Sequence, residues 1–179
     1  MSATPALETA RLRLWRFDAD NADEVAFNLR LLNDPGFLHN IGDRGVRTLA
    51  QSRRHLLDGA IASYARHGFG LYRVELKQGG ESVGVCGLLR RDFLDDADIG
   101  YAFLPEFRGQ GHAREAAAAV LASAWPVHRL ARVAAIVSPH NEASIRLLES
   151  LGMRFRRTLR LPADDHEVKL FDRDTETDP

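Results

Sequence analysis

The residues best placed to do chemistry are Arg108-Gly109-Gln110-Gly111-His112-Ala113. They follow an extended run in which Ile99, Tyr101 and Phe103 share one face, the period-two signal of a strand. Pro105 stops that strand. Beyond them, Ala113, Ala116, Ala117, Val120, Leu121 and Ala124 form an apolar stripe at helical spacing, which Pro126 is expected to end. The first N–H groups of a helix have no partner inside it and carry the positive end of its dipole. Glycines at 109 and 111 open conformations closed to other residues and let an anion approach the main chain. Arg108 adds a charge at the same mouth. A phosphate or pyrophosphate is the occupant that suits such a turn.

Several phosphate motifs are excluded. No G-x-x-x-x-G-K-[ST] string occurs. A dinucleotide fingerprint needs a third glycine where Arg114 stands, and an acidic residue that the 131–137 run does not supply. What remains is Arg-Gly-x-Gly-x-Ala after a strand, with a ligand-free tight turn as the alternative.

The elements that must position this turn come next. Arg11 to Phe17 alternates as a first strand after a short leader over 1–10 that is mobile at its tip. Ala22 to Asn33 is a helix, ended by Asn33-Asp34-Pro35-Gly36, and 37–46 reads as a loop. Thr48 caps a second helix over 49–67. Strands are expected over 71–76 and 82–90, joined by a hairpin loop, then over 98–104 and 130–137. The last of these is a continuous apolar run, the mark of a central or parallel strand. With the helix 112–125, strands 98–104 and 130–137 make a βαβ unit with a right-handed crossover. A helix over 142–151, closed by Gly152, and strands over 153–161 and 166–171 complete the chain, and the acidic tail from Asp172 should fray. This is α/β (α+β) architecture in one domain, 1–179, with an ordered core of about 7–171.

Composition narrows the function classes. Across 179 residues, 24 Lys plus Arg nearly balance 25 Asp plus Glu, which points to neither nucleic acid nor a membrane surface. The lone Cys86 excludes an internal disulfide and a multi-cysteine metal site. His39, His55, His67, His112, His128, His140 and His166 show no metal spacing, and Asp92, Asp95, Asp96 and Asp98 lack the spacing of a calcium loop. No metal is expected. The start lacks a basic and then apolar leader, so a cytoplasmic protein is expected.

The element order, the Arg108–Ala113 turn and the later run Ser138-Pro139-His140-Asn141-Glu142-Ala143-Ser144, continuing to Leu151-Gly152-Met153, together resemble the GCN5-related N-acetyltransferases, the GNAT superfamily. Thr9 to Leu14 and Ile99-Gly100-Tyr101 resemble its RimJ/RimL-type branch, which acetylates protein N-termini. The resemblance implies a mixed, mostly antiparallel sheet of six to seven strands with a central parallel pair, 98–104 and 130–137, and four helices. It implies acetyl-CoA as co-substrate and an amine acceptor, without nucleic acid or membrane, in a monomer or homodimer. The expected cofactor-binding residues are Phe103, Leu104, Arg108, Gly109, Gln110, Gly111, His112, Ala113, Asn141 and Ser144. The main-chain groups of Phe103 and Leu104 would bond the pantetheine arm where the parallel pair splays. A bulge at Gly100 would supply an oxyanion donor.

The resemblance further implies direct attack of the amine on the thioester, with orientation supplying much of the rate. Ser144 matches the family's serine near the sulfur and is the expected general acid; Leu148 stands where many members carry a tyrosine. Asp98, Glu106 and Tyr101 are the base candidates. Asn141 has a second role open to it as a helix N-cap, and Cys86 reads as a buried apolar residue. The favoured acceptor is a protein or peptide N-terminal α-amine. Alternatives are a small amine, such as an antibiotic or polyamine, and a non-catalytic acyl-CoA-binding sensor.

Overall fold

The alternating run near the start folds as β2 (Leu12–Trp15), which pairs antiparallel on one side with β1 (Leu7–Glu8) and on the other with β3 (Leu71–Leu76). The computed structural model describes residues 4–175. Its sheet continues through β4 (Ser82–Leu89), β5 (Asp98–Phe103), β6 (Arg132–Val137), β8 (Glu167–Asp174) and β7 (Arg154–Arg160). Every neighbouring pair is antiparallel except β5 with β6. The architecture is therefore the expected mixed α/β one, with eight strands in place of six to seven. The additional strand is β1, at the start of the expected ordered core, in the stretch read as a leader. It is held because Leu7 and Glu8 ladder onto Leu14 and Arg13.

The helices lie on both faces. One core gathers Ile99 and Phe103 of β5 with Ala116, Ala117, Val120, Leu121 and Ala124 of α5 (His112–His128) and Leu148 of α6 (Glu142–Ser150). The small alanines on the inner stripe of α5 let it approach the sheet closely, and three of them are fully buried. A second core, on the opposite face, joins Val85 and Ala102 to α1 (Ala22–Leu32), α2 (Pro35–Asn40) and α3 (Leu49–Leu56). Thr48 and Gln51 form a capping box at the start of α3. A π-helical turn, Leu57–Ile61, carries the rod on into α4 (Ala62–His67), so the expected helix over 49–67 is continuous but not uniformly α.

Four local expectations are corrected. The Asn33–Gly36 breaker ends α1 but also starts α2, because the Asp34 carboxylate accepts from the Phe37 N–H at 2.9 Å and Pro35 occupies a position whose N–H would be unpaired anyway. Pro126 does not end α5, which runs on to His128; so near the C-terminus, the missing N–H removes a single bond. The chain from Asp172 does not fray: Asp172, Arg173 and Asp174 ladder onto β6, and the Thr175 N–H donates to the Ala131 carbonyl at 2.9 Å. The rest of the acidic tail lies outside the described residues. Finally, β4 and β5 pair in unbroken register from Gly84–Phe103 to Leu89–Asp98, so Gly100 makes no bulge. A Cβ at Gly100 would sit 2.6 Å from Leu89 Cδ1, the far end of a side chain on the neighbouring strand.

Candidate active site

Strands β5 and β6 touch at one end only. Asp98 pairs with Ala134, the Ala134 N–H donates to the Ala97 carbonyl at 2.9 Å, and the ladder stops. From there the two strands diverge. The Leu104 N–H donates to Val83 at 2.9 Å, which sets the phase of the β4–β5 ladder. By the alternation of an antiparallel pair, the main-chain groups of Tyr101 and Phe103 turn away from β4 and towards the gap. Splaying thus opens a slot with unladdered main chain along one wall.

This geometry revises the expected main-chain contacts. Both main-chain groups of Leu104 are occupied, its N–H by Val83 and its carbonyl by the Phe107 N–H. The Phe103 carbonyl accepts from Arg108 Nε at 2.8 Å. The groups left facing the slot are the Phe103 N–H and those of Tyr101, a residue that the sequence marks only through its side chain.

Side chains meet beside the slot. The hydroxyls of Tyr101 and Ser144 lie 2.7 Å apart, and either can donate. Tyr101 comes from β5 and Ser144 from the first turn of α6, where the Asn141 side chain caps the helix by accepting from the Ser144 N–H at 3.2 Å. Asn141 therefore fixes the serine through its cap. Burial pushes the Tyr101 phenol up to about 12, against the opposing effect of the Ser144 hydrogen bond. At neutral pH it keeps its proton and donates or relays rather than abstracts. Leu148, one turn further along α6, is only 1% exposed and packs into the core.

The other base candidates stand apart. Asp98 lies at the closed end, 1% exposed, with Arg91 Nε at 3.0 Å from both its oxygens. Burial raises its pKa, only partly offset by the charge and hydrogen bonds of Arg91. Its side chain alternates with Tyr101 and so belongs to the opposite face of the sheet. A depression of about 510 Å³ near that end is lined by Arg90, Asp96, Arg129, Arg132 and Asp174 and by none of the expected site residues. Glu106 is an exposed carboxylate in the short 3₁₀ turn after β5, ion-paired with Arg30.

The glycine turn has the expected form. Gly109 and Gly111 have φ of +71° and +81°, and Gly111 caps α5 without any side-chain hydrogen bond to its first N–H groups. A Cβ on Gly109 would meet nothing within 4 Å. Gln110 folds back, its Nε2 donating to the Glu106 carbonyl at 2.8 Å. His112 is buried, with Nδ1 3.3 Å from the Phe107 carbonyl, and Ala113 packs on the core.

Arg108 is the main correction in the turn. Its guanidinium pairs with the buried Asp34 carboxylate and packs where a Cβ on Gly36 would intrude at 2.5 Å. It joins α2 to the end of β5 and brings no net charge to the turn. A second arginine, Arg11, lies over the turn, and it too is ion-paired, with Glu115. Its Nη1 donates to the Gln110 carbonyl at 2.9 Å, and its Nη2 would stand 3.3 Å from a Cβ on Gly111. Glu115 holds it in place, accepting from Arg11 Nε and from Thr9 Oγ1 at 2.6 Å each. Burial of Glu115 opposes ionisation, but these bonds outweigh it and hold its pKa below the usual range. In the sequence, Thr9-Ala10-Arg11 signals only the start of a strand.

A short strand-turn-helix with an uncapped amino end, beside a slot between splayed parallel strands, matches a known family. Residues 11–154 fit the model of the acetyltransferase (GNAT) domain. The chain belongs to the GNAT acetyltransferases. It is 32% identical over 162 residues to the uncharacterized protein YkkB of Bacillus subtilis, covering 89% of this chain and 91% of that protein. Among solved structures it resembles RimL, a ribosomal L7/L12 α-N-protein acetyltransferase in complex with coenzyme A, with a TM-score of 0.80 at 20% identity, over 95% of this chain and 97% of that one. It also resembles a spermidine N-acetyltransferase SpeG chimera from Vibrio cholerae and hSSAT, with a TM-score of 0.73 at 15% identity, over 93% and 96% of the two chains. At such identities the likeness to these structures is one of fold. As a GNAT acetyltransferase, the protein is an acetyl-CoA-dependent acyltransferase. Among the described residues no group of side chains is arranged to hold a metal, and no helix is long and apolar enough to cross a membrane.

Proposed function

We propose that this acyltransferase acetylates a primary amine, favouring the free α-amine of a protein or peptide, in the manner of the RimJ/RimL branch. The observation that carries the catalytic part is the Tyr101–Ser144 contact beside the splayed strands. The uncapped N–H groups of α5, with Arg11 above them, suit a pyrophosphate. The Tyr101 and Phe103 main chain suits an extended amide-bearing arm. Acetyl-CoA supplies the activated acetyl thioester.

The chain's own residues then divide the work. The two walls of the slot hold the reactants in line, which removes much of the entropic barrier. Ser144 donates a hydrogen bond, and finally a proton, to the sulfur that departs. Tyr101 orients the Ser144 hydroxyl and can replace the proton it gives. With Asp98 held by Arg91 and Glu106 by Arg30, the acceptor's ammonium proton leaves to water. The acid limb of kcat/KM then follows the pKa of each acceptor rather than that of an enzyme group.

The likeness to the spermidine enzyme favours a second reading, a small amine acceptor. Thiol release from acetyl-CoA separates the two. Peptides with free N-termini should turn over, and the same peptides with blocked N-termini should not. Turnover of spermidine without turnover of any peptide would overturn the peptide reading.

A further inference from the structure

The sheet ends on β7, which pairs with β8 on one side and, among the described residues, with no strand on the other. The Leu161 N–H donates to the His166 carbonyl at 2.8 Å, which sets the phase of this ladder. By the alternation of an antiparallel pair, the main-chain groups of Thr158 and Arg160 turn outward, away from β8. Every residue of β7 except Leu159 is exposed. Four of its seven residues are arginine and none is acidic.

The register sorts these side chains between the two faces. Arg154 stands opposite Asp172 and Arg157 opposite Leu170, two residues away along β8, so both belong to one face. A bulge inserts Arg156 between them, and its Nε donates to Asp172 Oδ1 at 2.6 Å, which brings it to the same face. Three arginines thus share a face with one carboxylate, Asp172, and leave a surplus of two positive charges. Asp174, the next acid on that face of β8, is paired with Arg132 at 3.0 Å. The guanidinium groups of Arg154 and Arg157 have no partner among the described residues. On the other face Phe155 is 52% exposed, with Lys169 over its ring.

A strand edge with open donors and acceptors is a template for another strand. A lone edge charge serves to keep sheets from joining. Here the surplus lies on one face and an exposed aromatic ring on the other. A second copy would set arginines against arginines, and like charges in facing positions destabilise a sheet. We propose that β7 is a docking edge for an acidic segment of a partner protein, added as a further strand. The segment's main chain would pair with Thr158 and Arg160. Its carboxylates would lie along Arg154 and Arg157, whose planar forks suit them. Its alternate side chains, apolar ones, would lie beside Phe155. A nucleic acid has no ladder to offer the outward main chain. The inference does not depend on which amine the enzyme acetylates.

The test uses the full-length protein and three fluorescent probes: a peptide alternating glutamate and valine, its glutamine counterpart, and a single-stranded DNA of the same charge as the first. At low salt the glutamate peptide should bind about 10–100-fold more tightly than the glutamine one, the range of one charge-assisted hydrogen bond. Added salt should narrow that gap. The double variant Arg154→Gln, Arg157→Gln should erase it, and should leave turnover of a short acceptor without acidic residues unchanged. Thr158→Pro removes an outward N–H and no bond to β8, so it should fold and lose both peptides. Circular dichroism and denaturant midpoints check the folding. Equal affinities for the two peptides, tighter binding of the DNA, or a gap unchanged in the double variant would each overturn the inference. So would a dimer in sedimentation equilibrium that Thr158→Pro dissolves, because a second copy would then cover the edge. If Thr158→Pro does not fold, the arginine double variant decides.

Discussion

The two ends of β5 lie in opposite physical settings. At its first residue the strand is laddered to β6, and the polar side chain there, Asp98, is buried against an arginine. Three residues later the ladder to β6 is gone, and Tyr101 faces Ser144 with main chain open to the slot. A strand held on both sides has no donor to offer. A strand held on one side offers donors at fixed spacing without moving anything. Acetyl transfer needs such preorganised donors, so we place it at the open end. At the closed end Asp98 and Arg91 pair beside the Asp98–Ala134 bridge, the point from which the strands diverge.

The largest expected effect tests the open end directly. In Ser144→Ala, kcat should fall by about 10²–10⁴-fold, the usual contribution of a placed proton donor, while the KM for acetyl-CoA changes little. Tyr101→Phe should cost less, about fivefold, because it removes one hydrogen bond to the donor and not the donor itself. If the two hydroxyls act as a unit, the double variant will be no slower than Ser144→Ala. Steady-state kinetics on one good acceptor, with circular dichroism to confirm folding, gives all three values. Wild-type kcat in folded Ser144→Ala would remove the open end's claim to the chemistry and leave only its role in binding.

The next effect concerns the glycine turn that faces the same end. At Gly111, φ is +81° and Arg11 stands 3.3 Å from where a Cβ would be. Gly111→Val meets both obstacles, a strained backbone and a displaced arginine. Affinity for coenzyme A should fall at least tenfold, about 1.4 kcal/mol, as read by calorimetry on the folded variant. An unchanged dissociation constant would mean that the pyrophosphate binds away from the α5 amino end.

The contrast between the ends also explains what could be read in advance. The glycine turn, the Asn141–Ser144 cap and the order of elements are local, written within a few consecutive residues. Tyr101 and Ser144 each stand out on local grounds, but their contact joins positions 43 apart. Arg108 looks free in the sequence because its partner, Asp34, is 74 residues away. Arg11 looks structural because Glu115, which holds it over the turn, is 104 residues away. The splay has a family precedent but no signature of its own. It is a missing ladder, and the sequence of two apolar strands does not say where their pairing stops. The expected bulge at Gly100 fails for a related reason. A glycine in a strand marks any close neighbour, and here the neighbour is the Leu89 side chain.

The smallest effect is expected at the closed end, and it is the sharpest test of the contrast. Asp98 is buried deeply enough that its carboxyl is protonated more readily than usual, despite Arg91. In the window from the ordinary carboxylate range up to that raised value, the folded chain holds more protons than the unfolded one. Stability therefore falls as pH rises through this window, and the stabilising contribution is fully present only below it. A side-chain amide in place of the carboxyl keeps the shape and cannot titrate. Asp98→Asn should accordingly fold, with the amide oxygen still able to accept from Arg91, and lose this part of the pH slope. Denaturant midpoints measured from the acid side to neutrality give the comparison, with the wild type losing ground to the variant as pH rises. Its kcat should stay within about threefold of wild type, less than about 1 kcal/mol of barrier. A folded Asp98→Asn variant that lost activity on the scale of Ser144→Ala would make the buried carboxylate the base after all. The chemistry would then have to reach through the slot to the closed end.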